Sequence, residues 1–265
     1  MPLSAVLLVL VSTILHAGWN TRLHRGSDPE VVIALAYLFV GFVLLPTAIA
    51  DPPSEVLGWL LASSVAQGLY MGLLGSAYRT GSLGVAYPIS RGTAPLLVGL
   101  GGWLLLDETP SVATATGLVV LVVGLLAVAG VGAQRSERRS VVLAAVTGLC
   151  TVAYSLIDAR SVDLTGALGY LSVVMVLSSA GVLGIRRPTM ARLRAAAGES
   201  VVIGLGQGGA YALVLLAFQR AQAGQVAGLR QVSVLLGVLI AREALGPRAA
   251  WGAVLVTVGA GLVVW

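Results

Sequence analysis

Val112–Val131 reads VATATGLVVLVVGLLAVAGV, a run without one charged residue. Crossing a hydrocarbon core of roughly 30 Å takes about 20 apolar helical residues, which is the length of this run. An open sheet would leave unpaired amides in lipid, and the strict alternation of a membrane barrel is absent, so the run reads as a transmembrane helix. The composition around it agrees. Of 265 residues 57% are apolar and 10% are charged, with mean hydropathy +0.95. A soluble domain carries about 25% charged residues to coat its surface. At less than half that supply, this chain needs lipid as its solvent.

Reading outward for similar runs gives ten spans. The first five are Leu3–Thr21, Val31–Ala50, Leu57–Ala77, Leu83–Leu106 and Val112–Val131. The second five are Val141–Ile157, Leu164–Ile185, Val201–Phe218, Val226–Ala241 and Ala249–Trp265. Connections are short; the longest, Arg186–Ser200, is expected to hold a short surface helix. The first span lacks a basic leader and a small-residue cleavage site, so it reads as a span and not as a cleaved signal. Trp59, Trp103, Trp251 and Trp265 fall near span ends, where indole rings anchor at the interface.

All sixteen basic residues are Arg, and their placement sets an orientation. Odd-numbered connections hold twelve of them, even-numbered ones only Arg160 and Arg220, and two sit inside spans. By the positive-inside rule, odd loops are cytoplasmic and both termini lie outside. The expected location is the plasma membrane, as a multi-pass protein. No basic run accompanies a polar, aromatic-bearing groove, which argues against nucleic acid as a partner. One cysteine, Cys150, and two histidines give neither a disulfide nor a zinc site. Without Lys there is no Walker-type phosphate loop, and no cofactor is expected.

The two halves repeat. At an offset of 135, Glu108 falls on Glu243, Gly117 on Gly252 and Gly124 on Gly259. At 140, Gln67-Gly68 falls on Gln207-Gly208, and at 139 Arg91 falls on Arg230. A unit with an odd number of spans inserts its second copy upside down. The expectation is an all-α integral membrane protein of ten transmembrane helices, as two inverted five-helix repeats over 1–133 and 140–265. Inverted repeats of this kind hold a substrate near the midplane between the halves.

Three stretches carry a family resemblance: His16-Ala-Gly-Trp-Asn20; Val85-Ala-Tyr-Pro-Ile-Ser-Arg-Gly-Thr-Ala-Pro-Leu-Leu97 with Leu104-Leu-Leu-Asp-Glu108; and Leu229-Arg-Gln-Val-Ser-Val-Leu-Leu-Gly237 with Glu243. Ala153-Tyr-Ser-Leu-Ile-Asp158 adds a weaker one. Over nearly its whole length the chain resembles the EamA-like ten-span members of the drug/metabolite transporter superfamily. The resemblance implies export or uptake of small metabolites, often amino acids, without ATP. It departs at Ala241-Arg-Glu243, where span nine lacks about one turn that relatives carry.

An Arg within a span faces the bundle interior or a wet cavity, because lipid exposure costs several kcal/mol. Arg91, flanked by Pro88 and Pro95, and Arg230 are therefore candidate substrate-binding residues. Each guanidinium could equally lock the halves through backbone carbonyls. Tyr87 lies one turn before Arg91. Gln67 and Gln207, each before a Gly, suit helix packing as well as solute contact. His16, Trp19 and Asn20 share a helical face, as do Tyr154 and Asp158. Trp19, Asn20 and Tyr154 join the binding set, while His16 and Asp158 are candidates for proton coupling. The other readings of Asp158 and of Glu108 and Glu243 are bland: a counter-ion to Arg160 or to another charge on the side away from the cytoplasm, and caps for the helices that follow.

The function so expected is secondary transport of a small organic solute, amino-acid-like or carboxylate-bearing, by alternating access. The alternative is a lipid-linked flippase or a non-transport membrane subunit. An intramembrane enzyme would need paired carboxylates or a Ser–His pair, and the spans offer one Asp and one His. Substrate identity, coupling ion, transport direction and oligomeric state, a homodimer included, stay open from sequence.

Overall fold

A computed structural model describes the backbone of residues 1–24, 26, 28–80, 83–128, 138–241 and 246–265; within these, side chains at 24, 75–80, 83–93, 138–141, 143–144 and 237–241 lie outside the description. Among the described residues the fold is all helix, with no strand. In order the helices are α1 (Leu3–His24), α2 (Pro29–Val43), α3 (Leu45–Ala50), α4 (Leu57–Thr80), α5 (Leu83–Leu105), α6 (Val112–Val128), α7 (Arg138–Val162), α8 (Ala167–Arg186), α9 (Met190–Phe218), α10 (Ala223–Leu229), α11 (Val232–Ala241) and α12 (Pro247–Val264). Among the described residues five stretches are long and apolar enough to cross a membrane: Leu3–Leu23, Ser54–Leu74, Ala167–Arg186, Met190–Phe218 and Pro247–Val264. Pro29–Val43, Ala94–Leu105 and Val112–Val128 are shorter apolar helices. Large apolar side chains face outward along them, among them Leu7, Val65, Leu100 and Val258, as lipid-facing helices require.

Local chemistry explains the breaks. The second expected span is two helices, because Pro46 lacks an N–H and its ring clashes with the carbonyl of Phe42, four residues back. The fourth stays helical from Leu83 to Leu105, through Pro88 and Pro95. The ninth is broken at Arg230-Gln231 with no proline present. There the amides of Gln231, Ser233 and Val234 bond three residues back, to Gly228, Arg230 and Gln231, so the backbone tightens into a 3₁₀ turn.

Two expectations are corrected. Span six does not stop at Ile157; α7 continues to Val162 and places Asp158 inside the helix. Arg186–Ser200 holds no separate surface helix. Thr189 caps α9, its Oγ1 accepting from the Arg192 amide at 3.4 Å, and that helix runs unbroken to Phe218.

Serine hydroxyls join the helices across the bundle by donating to spare backbone carbonyls. Ser12 donates to Ala210 (2.8 Å), Ser172 to Gly41 (2.7 Å), Ser179 to Ala34 (2.7 Å) and Ser178 to Ser64 (2.9 Å). Helices in lipid gain little from hydrophobic burial, so small residues and such bonds hold them together.

The closest approach is between α6 and α12. A Cβ on Gly117 would stand 2.8 Å from the Gly259 carbonyl, and one on Gly124 2.8 Å from that of Gly252. The helices therefore run antiparallel, with Gly117 opposite Gly259 and Gly124 opposite Gly252. Other packed pairs come in matched sets: α1 with α9 and α4 with α7, α2 with α9 and α4 with α8. The Met1 amino group donates to the Val264 carbonyl at 2.6 Å, so both termini sit at one end of the bundle.

Candidate functional site

Asp158 is the centre of the polar interior. Its side chain is wholly buried, and four groups donate to its carboxylate. Oδ1 accepts from Ser63 Oγ and from Tyr170 OH at 2.6 Å; Oδ2 accepts from Tyr211 OH and from Gln67 Nε2 at 3.0 Å. Four donors fill the four lone-pair positions of an ionised carboxylate and leave no acceptor for an acid O–H. The bonds come from α4, α8 and α9 to α7, so one side chain ties four helices. The expected alternative of a counter-ion to Arg160 does not hold among the described residues: Arg160 is exposed, and every partner of Asp158 is neutral.

Tyr211 links this centre to Arg230. Its hydroxyl holds Asp158, and the Arg230 guanidinium carbon lies 5.7 Å from its ring centroid, a cation–π contact. Arg230 occupies the break between α10 and α11, and no described carboxylate pairs with it. Tyr154 stands edge-on between Tyr70 (5.7 Å) and Tyr211 (5.8 Å), closing an aromatic wall. Tyr70, Thr151, Tyr154, Ser155, Arg230 and Gln231 surround a cavity with Pro95 and Val98. About 20 Å³ of it is open to the centre of a water molecule, room for one water and not for an organic solute.

The break also leaves polar atoms unanswered. Gln231 donates to the Ala227 carbonyl at 3.1 Å, yet its Oε1 and the Ser233 hydroxyl are buried with no described partner. Trp19 Nε1 on α1 and Gln207 Oε1 on α9 are in the same condition. Such atoms are costly unless a water or a ligand meets them.

The candidates from sequence thus separate. Asp158, Gln67, Tyr154 and Arg230 gather around one centre. His16 and Trp19 pack edge to face at 4.9 Å on the side of α1 toward α9, where the Trp19 Cβ lies 3.0 Å from a Cβ built on Gly206. Asn20 is partly buried one position beyond Trp19. Gln67 and Gln207 do not act alike: the first is bonded to Asp158, the second has an oxygen with no described partner. The side chains of Arg91 and Tyr87, and Glu243 entirely, lie outside the described residues. Ser63, Tyr170, Tyr211 and Gln231 were not anticipated. Two of them were within reach, since Ser63 is four residues before Gln67 and Tyr211 four after Gln207, each on the glutamine's own helix face.

Glu108 corrects another expectation. It caps α10 and not the helix that follows it, its two carboxylate oxygens accepting the Ala223 amide at 2.7 and 3.0 Å. Asp107, left-handed at φ 56°, turns the chain so that this carboxylate reaches the second half. Burial pushes the Glu108 carboxyl above its ordinary value, against the opposing pull of that amide. Glu30 is a further buried carboxylate that sequence reasoning passed over; it pairs with Arg186 at 2.7 Å.

No family model matches the chain, and no curated protein matches it. A solved structure described in the words "Crystal structure of protein" is similar to it, with TM-score 0.79 at 18% identity, over 98% of this chain and 96% of that one. At that identity the likeness is one of fold.

Proposed function

We propose that the chain is a plasma-membrane secondary transporter of a small, carboxylate-bearing organic solute, working by alternating access between two inverted five-helix repeats. One observation carries the reading: Arg230, at a helix break and with no described carboxylate partner, borders an aromatic-walled cavity that is closed to a solute in this conformation. A guanidinium fork there matches a carboxylate bidentately, and a broken helix frees backbone polar groups to join it. Asp158 is already saturated by the protein, so the solute's charged contact falls to Arg230.

The repeat rests on reciprocity. The operation that exchanges the halves carries Gly117 to Gly252 and Gly124 to Gly259 at the offset of 135. The contact of Gly117 with Gly259 then becomes that of Gly252 with Gly124, and both are present. The same exchange turns the α1–α9 packing into α7–α4, and α2–α9 into α8–α4. Ten spans follow if α2 with α3, and α10 with α11, each cross once, and termini at one end require an even number. The resemblance to EamA-like drug/metabolite transporters points the same way. Asp158 and His16 are the groups we assign to proton coupling; a proton on Asp158 has to displace one of its four donors.

Uptake into proteoliposomes tests this, with amino acids and organic acids offered with and without a proton gradient. The expected result is saturable uptake of at least one carboxylate, its methyl ester being refused. Arg230→Gln should cut that uptake at least about tenfold, the loss of one charge-assisted contact of ~1.5–3 kcal/mol. Equal transport of acid and ester, or full activity in Arg230→Gln, contradicts the reading.

A further inference from the structure

We infer that the groove between α4 and α8 is a binding site for one acyl chain of an anionic phospholipid, whose phosphate lies at Arg186 and its neighbouring arginines. This goes beyond transport and rests only on the chain being embedded in a bilayer.

The groove has a volume of about 470 Å³, and none of the four donors to Asp158 lines it. Leu69 and Ile185 on its walls are 56% and 82% exposed, so it faces what surrounds the bundle. Its bed includes Gly72 and Gly181, and a Cβ built on either meets nothing within 4 Å. Neither glycine is required by helix–helix contact, as Gly117 and Gly259 are. Each nonetheless forgoes the helix stability that alanine would give, and their shared effect is to keep this groove deep.

Its length selects the occupant. The Ser178 hydroxyl bonds the Ser64 carbonyl, and Gly68 lies against Ser178 and Val182, so α4 and α8 run side by side in the same direction. The groove begins at Ser64 and Leu177 and ends at Leu73 and Arg186. Nine steps of helix rise make roughly 14 Å. Half of a hydrocarbon core of roughly 30 Å is the depth of one leaflet. A helix from a second copy would instead cover the whole span.

Charge selects the headgroup. Where α8 meets α9 the chain carries Arg186, Arg187, Arg192 and Arg194. Glu30 pairs with Arg186 at 2.7 Å and Asp28 with Arg192 at 2.8 Å, while Arg22 and Glu199 balance each other nearby. The excess of positive charge at the groove's mouth fits a phosphate, and basic pockets at the membrane surface hold anionic headgroups in this way.

Native mass spectrometry of the full-length protein, titrated with palmitoyl-oleoyl phosphatidylglycerol or with the matching phosphatidylcholine, tests the site. One phosphatidylglycerol should be retained roughly thirtyfold more strongly than phosphatidylcholine, given about 1 kcal/mol for each of the surplus arginines Arg187 and Arg194. Gly72→Leu and Gly181→Leu should each lose that retained lipid while keeping the wild-type helical circular dichroism. Arg187→Gln, outside the groove and exposed, should weaken phosphatidylglycerol more than phosphatidylcholine and so narrow the preference between them. Unchanged retention in both leucine variants overturns the proposal. So does equal binding of the two lipids, or a wild-type dimer that Gly72→Leu converts to monomer.

Discussion

At the scale of single residues the interior is organised by how many donors meet one carboxylate. Asp158 accepts from Ser63, Gln67, Tyr170 and Tyr211, so any change that alters the count leaves a buried group unsatisfied. Tyr211→Phe keeps the ring under Arg230 and removes one donor. It should cost about 1–3 kcal/mol, read as a lower melting temperature in detergent. Asp158→Asn should cost at least as much, because its NH₂ confronts two donors where an oxygen stood. Arg230→Lys isolates geometry from charge: a point ammonium cannot reproduce the fork, so carboxylate uptake should fall although the charge is kept. Glu108 gives a pH test at the junction of α5 and α6. Its folded value is raised above the ordinary 4.5, so its stabilising contribution is complete below 4.5 and is lost as pH rises through the raised value. Melting curves across that window should slope downward with pH in the wild type. Glu108→Gln keeps an oxygen for the Ala223 amide and should flatten the slope.

At the scale of elements, close glycine packing and helix breaks have opposite roles. The α6–α12 seam is tight because four glycines let backbones meet, and no side chain there can give way. Gly117→Ala or Gly259→Ala should destabilise by about 1–3 kcal/mol or more, as overpacking does. Gly261→Ala on the same helix meets nothing within 4 Å and should be neutral or gain up to about 1 kcal/mol. Similar losses at Gly259 and Gly261 would refute the seam. The break at Arg230 is the contrasting element, a short 3₁₀ turn with unanswered polar atoms beside the cavity. This is where sequence reading stopped short. Ala241-Arg-Glu243 signalled a shortened ninth span, but no proline or glycine pair marks Arg230-Gln231 as its breaking point, and the turn is set by contacts with other helices. Apolar runs were legible because lipid imposes their length. The partners of Asp158 were not, since they come from α4, α8 and α9, and a single chain does not reveal which faces of distant helices meet.

For the whole molecule, the half-to-half matches at Gly117, Gly124, Gln67 and Arg91 were visible in the sequence; the α6–α12 contacts involve two of them, Gly117 and Gly124. The matches do not extend to chemistry. Gln67 serves Asp158 while Gln207 does not, and Leu23, which stands at the position matching Asp158 at offset 135, is a buried apolar residue. We assign this asymmetry to function: the second half carries both the Asp158 carboxylate and, at its broken helix, the Arg230 guanidinium, which has no described carboxylate partner. Alternating access, as proposed, requires the cavity at Arg230 to open to each side of the membrane in turn. Thr151 lines that cavity next to the buried Cys150, so Thr151→Cys in a Cys150→Ala background places one reporter thiol there. Labelling in proteoliposomes with a membrane-impermeant maleimide, added outside or trapped inside, measures access directly. Modification from both sides is expected, slowed by a transported carboxylate. Modification from one side alone, under every substrate and gradient condition, would contradict it.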